Sequence, residues 1–302
     1  MLEEKIFSIL REKGPQTGAE LLELTAADVF ILWRVCRRSQ EIHYETIGKR
    51  FLRLDRVVEG YARLSPSIKR EFLTYTLVGL KGQLQMLKAR AEKLGQDIKR
   101  ISSAKFNLAK ESISSTVSLL QDRNHILSKV CFIMAGDIVY EMAHSVPRPE
   151  KSTGKMVRGS DLDIVTIVDD NFSQEAIEAL DKAIYQEKYR LLVHPNFREE
   201  IDYIIKNISK VREQLKFHKF EYMVACKLLH EGKLLYGSQS IFQTIKDLIR
   251  EYKIPQKLKE MERKAIQNRK RAEAYLLDQA DGLSEKEFQK LFYTKEEGEE
   301  IF

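Results

Sequence analysis

The run Gly159-Ser-Asp-Leu-Asp-Ile-Val-Thr-Ile-Val-Asp-Asp170 constrains the fold of this chain more than any other stretch. Ile164, Val165, Ile167 and Val168 are β-branched and read as a buried strand. Asp161 and Asp163 stand at its start, and residues two apart on a strand point to the same face. Two anions held side by side repel unless a divalent cation neutralises them, and hard oxygen ligands suit Mg2+ or Mn2+. The chemistry that most often needs such a pair is metal-assisted phosphoryl or nucleotidyl transfer. An isolated Asp-x-Asp is more often a solvated strand end or a helix cap. Here the Gly-Ser turn before it, the apolar strand after it and carboxylates downstream give it weight.

Cys131-Phe-Ile-Met-Ala-Gly-Asp-Ile-Val-Tyr-Glu-Met-Ala-His144 supplies a turn at Gly136 followed by an amphipathic helical pattern, and Glu200-Ile-Asp-Tyr-Ile-Ile-Lys206 reads as a second strand with Glu200 and Asp202 on one face. Turn, helix, acid pair and third acid together resemble the nucleotidyltransferase domain of the DNA polymerase β superfamily. The resemblance covers about a third of the chain and implies an NTP substrate and Mg2+ or Mn2+ as cofactor. It implies Asp161, Asp163 and Asp202 as metal-binding and catalytic residues, with Glu200 as the alternative third carboxylate. The nucleotide-binding candidates are Gly136, Asp137, Gly159 and Ser160 at the two turns, with Lys155 and Arg158 of the spacer between them.

Two departures from the family pattern stand out. Asp137 occupies the turn position where the family usually has Ser or Gly, and a carboxylate there repels a triphosphate unless it is turned away or metal-bound. The spacer Pro147–Arg158 is long and reads as an inserted flexible loop, whose Lys151, Lys155 and Arg158 can neutralise phosphates or serve only as a solvated surface. Ser152-Thr-Gly-Lys155 is not a P-loop, because Pro149 stands where the motif needs Gly and Met156 where it needs Ser or Thr.

The N-terminal region carries a second pattern. Leu2–Lys13 is an amphipathic helix, and Thr17-Gly-Ala-Glu20 and Thr25-Ala-Ala-Asp28 read as capping boxes opening two further helices. The second of these holds Arg34, Arg37 and Arg38 on one edge, and Glu41–Leu54 reads as two strands around Gly48-Lys49, with Lys49 and Arg50 near the tip. Three helices and a basic hairpin resemble a winged helix-turn-helix, which implies DNA contact through Arg34, Arg37, Arg38, Lys49 and Arg50. The apolar run Val29–Trp33 points instead to a buried helix, as in winged helices that bind protein.

Net charge of +6 leans mildly toward polyanionic partners, DNA or RNA. The excess is concentrated between Lys81 and Val130, where ten Lys/Arg face four Asp/Glu. That stretch is helical in pattern, with a break expected near Ile101-Ser-Ser103, and Leu84, Leu87, Ala91 and Leu94 offer a face for a homodimer through the helical regions. Ser65 is the expected cap of a helix reaching Leu77. Gln256–Gln279 reads as a long basic helix behind Pro255, and the acidic tail Glu296–Glu300 as frayed. The absence of an 18-residue apolar run and of a signal-peptide pattern predicts no membrane partner. Cys36, Cys131 and Cys226 lie far apart without metal spacing and predict free thiols in a reducing cytoplasm.

The sequence thus predicts a mixed α+β protein. Its segments are a winged-helix-like region (1–58), basic helices (59–128), a nucleotidyltransferase core (129–240) and a helical extension (241–302). The expected activity is transfer of a nucleoside monophosphate to a hydroxyl of nucleic acid, protein or a small molecule. The competing expectation is a DNA-binding regulator whose degenerate core senses nucleotides or dimerises.

Overall fold

The computed structural model describes residues 1–278 and 282–301 of an α+β protein. Two compact units divide the chain, Met1–Ile98 with Met261–Phe302, and Lys99–Glu260.

The first unit begins with α1 (Leu2–Lys13), β1 (Gln16–Thr17), α2 (Gly18–Thr25) and α3 (Val29–Arg38). Thr17 and Glu20 cap α2 reciprocally, as the sequence pattern predicts. The box expected at Thr25 does not form. The Thr25 hydroxyl donates back to the Leu21 carbonyl at 2.6 Å, Ala26 turns left-handed, and Asp28 caps α3 through the N–H groups of Phe30 and Ile31. β2 (Ile42–Thr46) and β3 (Phe51–Leu54) lie where two strands were expected, but they do not form the basic hairpin. β3 pairs with β4 (Ala62–Ser65), and after α4 (Ile68–Tyr75) comes β5 (Thr76–Leu80), which inserts between β1 and β2 in an antiparallel sheet of order β1-β5-β2. The reason is burial: Leu77 and Val78 of β5 are fully buried, so β5 suits the central place better than β3, which carries Arg53. Ser67 rather than Ser65 caps α4, and the helix ends before Leu77. α5 (Leu84–Ser118) runs unbroken through Ile101-Ser-Ser103, and Leu87 of its leucine face is buried while Leu84 is exposed.

The second unit takes up the chain within α5. The buried Ser102 hydroxyl accepts from the Ala143 N–H, so Ser102, expected to help break α5, serves packing instead. Then come α6 (Arg123–Lys129), β6 (Val130–Met134), a 3-10 turn (Gly136–Tyr140), β7 (Pro147–Pro149), β8 (Met156–Arg158) and β9 (Leu162–Val168). They are followed by α7 (Gln174–Val193), β10 (Ile201–Asn207), α8 (Ile208–Gln214), α9 (Phe220–Glu231), β11 (Lys233–Gly237) and α10 (Gln239–Glu251). A four-stranded mixed sheet of order β10-β9-β6-β11 forms the centre, with β9 and β10 parallel and the other pairs antiparallel. Parallel neighbours need a crossover, which α7 supplies. One face of the sheet packs Phe132, Met134, Leu162, Ile164 and Ile201 against Ile113 of α5 and Leu180 and Ile184 of α7.

The chain re-enters the first unit within α11 (Ile254–Asp278), followed by α12 (Glu285–Leu291) and α13 (Lys295–Gly298). Pro255 lies in the first turn of α11, where its missing N–H costs nothing, and the expected helix end at Gln279 lies outside the described residues. Ala272, Leu276 and Phe292 join Phe30, Trp33 and Cys36 in one core. The acidic tail is docked, not frayed. Glu297 and Glu300 are buried and both pair with Arg70, Glu297 at 3.4 Å. Burial opposes the Glu297 charge, but Arg70, Arg53 and the Thr294 N–H hold its carboxyl far below the usual carboxylate range.

Candidate active site

β6 ends where β9 and β10 begin, so three chain ends converge at one edge of the central sheet. Asp163 of β9 and Asp202 of β10 are direct register partners. Their neighbours Leu162, Ile164 and Ile201 fill the core against α5 and α7, so by alternation both aspartates project from the opposite face. The Ala135 N–H donates to the Asp163 carbonyl at 2.9 Å, which brings the turn after β6 onto the carboxylate. Gly136 sits there with a φ of 72°, and a Cβ would lie 2.0 Å from the Asp163 Oδ2. Glycine is required for that approach. Asp137 follows it, with its Oδ2 accepting from the Ser160 hydroxyl at 3.1 Å. Burial, and then the charges of Asp137, Asp202 and Glu231, push the Asp163 carboxyl up to about 7, against the opposing effect of Lys227.

Asp161 and Asp163, expected to act as a pair on one strand face, have different partners. Asp161 precedes β9 and forms an ion pair with Arg148 of β7. The same guanidinium reaches Glu200 at 2.9 Å and the Gly159 carbonyl at 3.0 Å. Of the two alternatives for a third carboxylate, Asp202 therefore lies across from Asp163, and Glu200 is engaged by Arg148. Below this, Lys105 of α5 donates to the Arg158 carbonyl at 2.7 Å and the Ser160 carbonyl at 2.9 Å, and pairs with Glu199. Gly159 completes the bend with a φ of 64°, where a Cβ would meet the His144 carbonyl oxygen at 2.0 Å. Ser160 and His144 bond each other through the Ser160 N–H at 3.0 Å and the His144 N–H at 3.2 Å.

The spacer expected to be a flexible loop is the β7–β8 hairpin. Glu150 closes its turn by accepting from the N–H and hydroxyl groups of both Ser152 and Thr153. These bonds outweigh burial and hold the Glu150 carboxyl down at about 2. Lys155 and Arg158 remain exposed on the hairpin. The amphipathic helix expected after Gly136 is a single 3-10 turn. The N–H of Gly136, a residue expected to bind nucleotide, donates to Glu231 of α9 at 3.1 Å. Glu231 also accepts from the Tyr140 hydroxyl at 2.6 Å and pairs with Lys227 at 2.6 Å.

Among the described residues, no three Asp, Glu, His or Cys side chains stand in a ligating arrangement. The donor chemistry nonetheless fits a hard divalent cation. Asp137, Asp202 and Glu231 all disfavour the charge on Asp163 and Lys227 opposes them, so the cluster gathers several negative oxygen donors.

A scan against protein-family models finds none that matches, and searches of curated proteins and of solved structures find no match either.

The five residues expected to contact DNA belong to the first unit, and most are engaged within it. Arg34 lies over the Phe30 ring at 5.4 Å, and Arg37 lies over the Tyr44 ring at 4.3 Å and 3.9 Å from Glu273. Arg38 donates to the Leu277 carbonyl. Arg50 makes a two-pronged pair with Glu71 at 2.6 and 2.7 Å and reaches Glu273 at 3.2 Å, while Lys49 is exposed. These contacts arise because α11 buries Ala272 and Leu276 beside Phe30 and Trp33, which places Glu273 and Leu277 against the arginine edge.

Sequence reasoning missed Lys105, Arg148, Glu199, Lys227 and Glu231. Lys227 and Glu231 carried a signal, an i, i+4 pair on a helix just before β11. Lys105 and Arg148 carried none, since each is one cation among many in a basic stretch.

Proposed function

We propose that the chain is a nucleotidyltransferase dependent on Mg2+ or Mn2+, which passes a nucleoside monophosphate from an NTP to a hydroxyl acceptor. The observation that carries this reading is the register pairing of Asp163 with Asp202 beside Asp137. These three residues would hold the cation, which when bound supplies charge neutralisation for the phosphates and activation of the acceptor oxygen. Gly136 lets the turn lie against the Asp163 carboxylate, an approach that any side chain there would block. Asp202 is exposed, so an acceptor hydroxyl arriving from solvent can pass its proton to that carboxylate. Arg148 holds Asp161 and Glu200 together beside the cluster, with its guanidinium already committed to them and to the Gly159 carbonyl. A phosphate oxygen that takes the Gly136 N–H displaces Glu231, which keeps Lys227 and Tyr140 as partners. The buried, unpaired cysteines fit a reducing cytoplasm.

One observation favours a second reading, a regulator with a degenerate core. A carboxylate already occupies the Gly136 N–H, in the place a phosphate needs. The order helix, strand, helix, helix, strand with a β1-β5-β2 sheet supports a winged helix in the first unit, although Arg37, Arg38 and Arg50 are engaged by Glu273, the Leu277 carbonyl and Glu71. Incubation with α-labelled NTPs, Mg2+ or Mn2+, and RNA, DNA ends or the chain itself as acceptor separates the two. The transferase releases pyrophosphate and transfers label, and Asp163→Ala or Asp202→Ala each lowers the rate about 10³-fold or more. Absence of transfer under all these conditions, together with salt-sensitive duplex binding, establishes the regulator instead.

A further inference from the structure

The first unit contains a cavity of about 420 Å3 between the segment leading into β4, β4 itself, α11 and the end of α12. That volume lies within the range of sites that enclose small organic ligands, roughly 300 to 1,000 Å3. No residue discussed above as catalytic or as a nucleic-acid contact lines it.

Its lining is basic. Among the described residues Arg63, Arg269, Arg271 and Lys290 line it with one carboxylate, Glu59, while Asp55 balances Arg63 and Glu273 balances Arg269 from outside. Two of the cations are fixed in the wall. Arg63 donates to Asp55 at 3.0 Å and to the Gln289 carbonyl at 2.8 Å, and Arg269 donates to the Pro66 carbonyl at 2.9 Å and to Glu273 at 2.7 Å. The other two, Arg271 and Lys290, are exposed. Between the charges the wall is apolar, formed by Val57, Leu64, Ala265 and Ala272, and the half-exposed ring of Tyr275 adds an aromatic surface. Such a wall takes up an apolar body, whereas exposed cations of the Arg and Lys type meet a phosphate, sulfonate or carboxylate.

We propose that this cavity binds a small organic anion, with the apolar or aromatic body against Leu64, Ala265 and Tyr275 and the anionic group at Arg271 and Lys290. Occupancy ties α11 to β4 and stabilises the first unit by mass action. This assignment is independent of the transferase reading, since it uses none of the second unit's residues.

The test uses the full chain and two fluorescent probes of the same aromatic body, 8-anilinonaphthalene-1-sulfonate and the uncharged N-phenyl-1-naphthylamine. The expected result is saturable binding of one sulfonate probe per chain, tighter than the neutral probe. Arg271→Glu with Lys290→Glu weakens the sulfonate probe about tenfold or more and leaves the neutral probe within about twofold. Ala265→Trp, which fills the cavity, removes both. Should that variant fail to fold, the exposed charge reversals decide the matter alone. Displacement by phenyl phosphate or by benzoate supports the site and identifies its preferred anionic group. Equal affinity of the two probes for the wild type, or a sulfonate affinity untouched by the charge reversals, overturns the proposal.

Discussion

Asp163→Asn is expected to make the metal-free protein more stable at pH 8. The Asp163 carboxyl is raised from an ordinary value of 3.8 to about 7 by burial and by Asp137, Asp202 and Glu231. Between these two values the folded chain holds a proton that the unfolded chain has released. The contribution is therefore fully present below about pH 4 and is lost as pH rises through about 7. A shift of this size corresponds to a penalty of about 4 kcal/mol at pH 8, and the amide, which carries no charge, should recover about 2–4 kcal/mol of it. Calorimetric unfolding of both proteins from pH 4 to pH 8 should show little difference at the acid end and a variant that is increasingly the more stable up to about pH 7. Mg2+ should raise the wild-type melting temperature and leave that of the variant nearly unchanged, because the cation relieves the same crowding. A variant less stable than wild type at pH 8 contradicts the crowded cluster.

Lys105→Met should have the opposite effect, a loss of about 3–5 kcal/mol from the second unit, the range for removing one partner of a buried ion pair. Lys105 is 5% exposed and serves Glu199 and the carbonyls of Arg158 and Ser160 together. Burial pulls its ammonium below the usual lysine range, and Glu199 opposes that pull. The methionine takes the Lys105 donor from a buried carboxylate and two carbonyls, and it releases the bend that positions Ser160 and Asp161. The denaturation midpoint of the second unit should fall accordingly, and Lys105→Met with Glu199→Gln should recover part of the loss. A change below about 1 kcal/mol would show that the bend does not depend on Lys105.

The residues that announced the site did so through local pattern. An apolar β-branched run after Gly-Ser-Asp-Leu-Asp is visible in one dimension, and so is the alternation that puts Asp202 on the face away from Ile201. A register between strands separated by α7 is not, so only the family resemblance put Asp202 with Asp163, and no local pattern pointed to Glu200 meeting Arg148. The same limit explains the first unit. β2 and β3 are recognisable as strands from composition, but their partners depend on which strand buries more apolar surface, and β5 wins that competition from beyond α4. The docked tail was misread because its acidic residues look solvated until Arg70 is known to lie beside them. Long-range ion pairs of this kind, Arg70 with Glu297 and Arg50 with Glu273, leave no trace at fixed sequence spacing.

Titration of the metal-free protein with Mn2+, followed by loss of the free-ion electron paramagnetic resonance signal, tests the cation site most directly. The predicted result is saturable binding at pH 8 that Asp163→Asn and Asp202→Asn each weaken about tenfold or more, with NTP tightening binding to the wild type alone. Mn2+ binding of equal strength in the wild type and both variants, or no saturable binding at millimolar Mn2+ with NTP present, would contradict it.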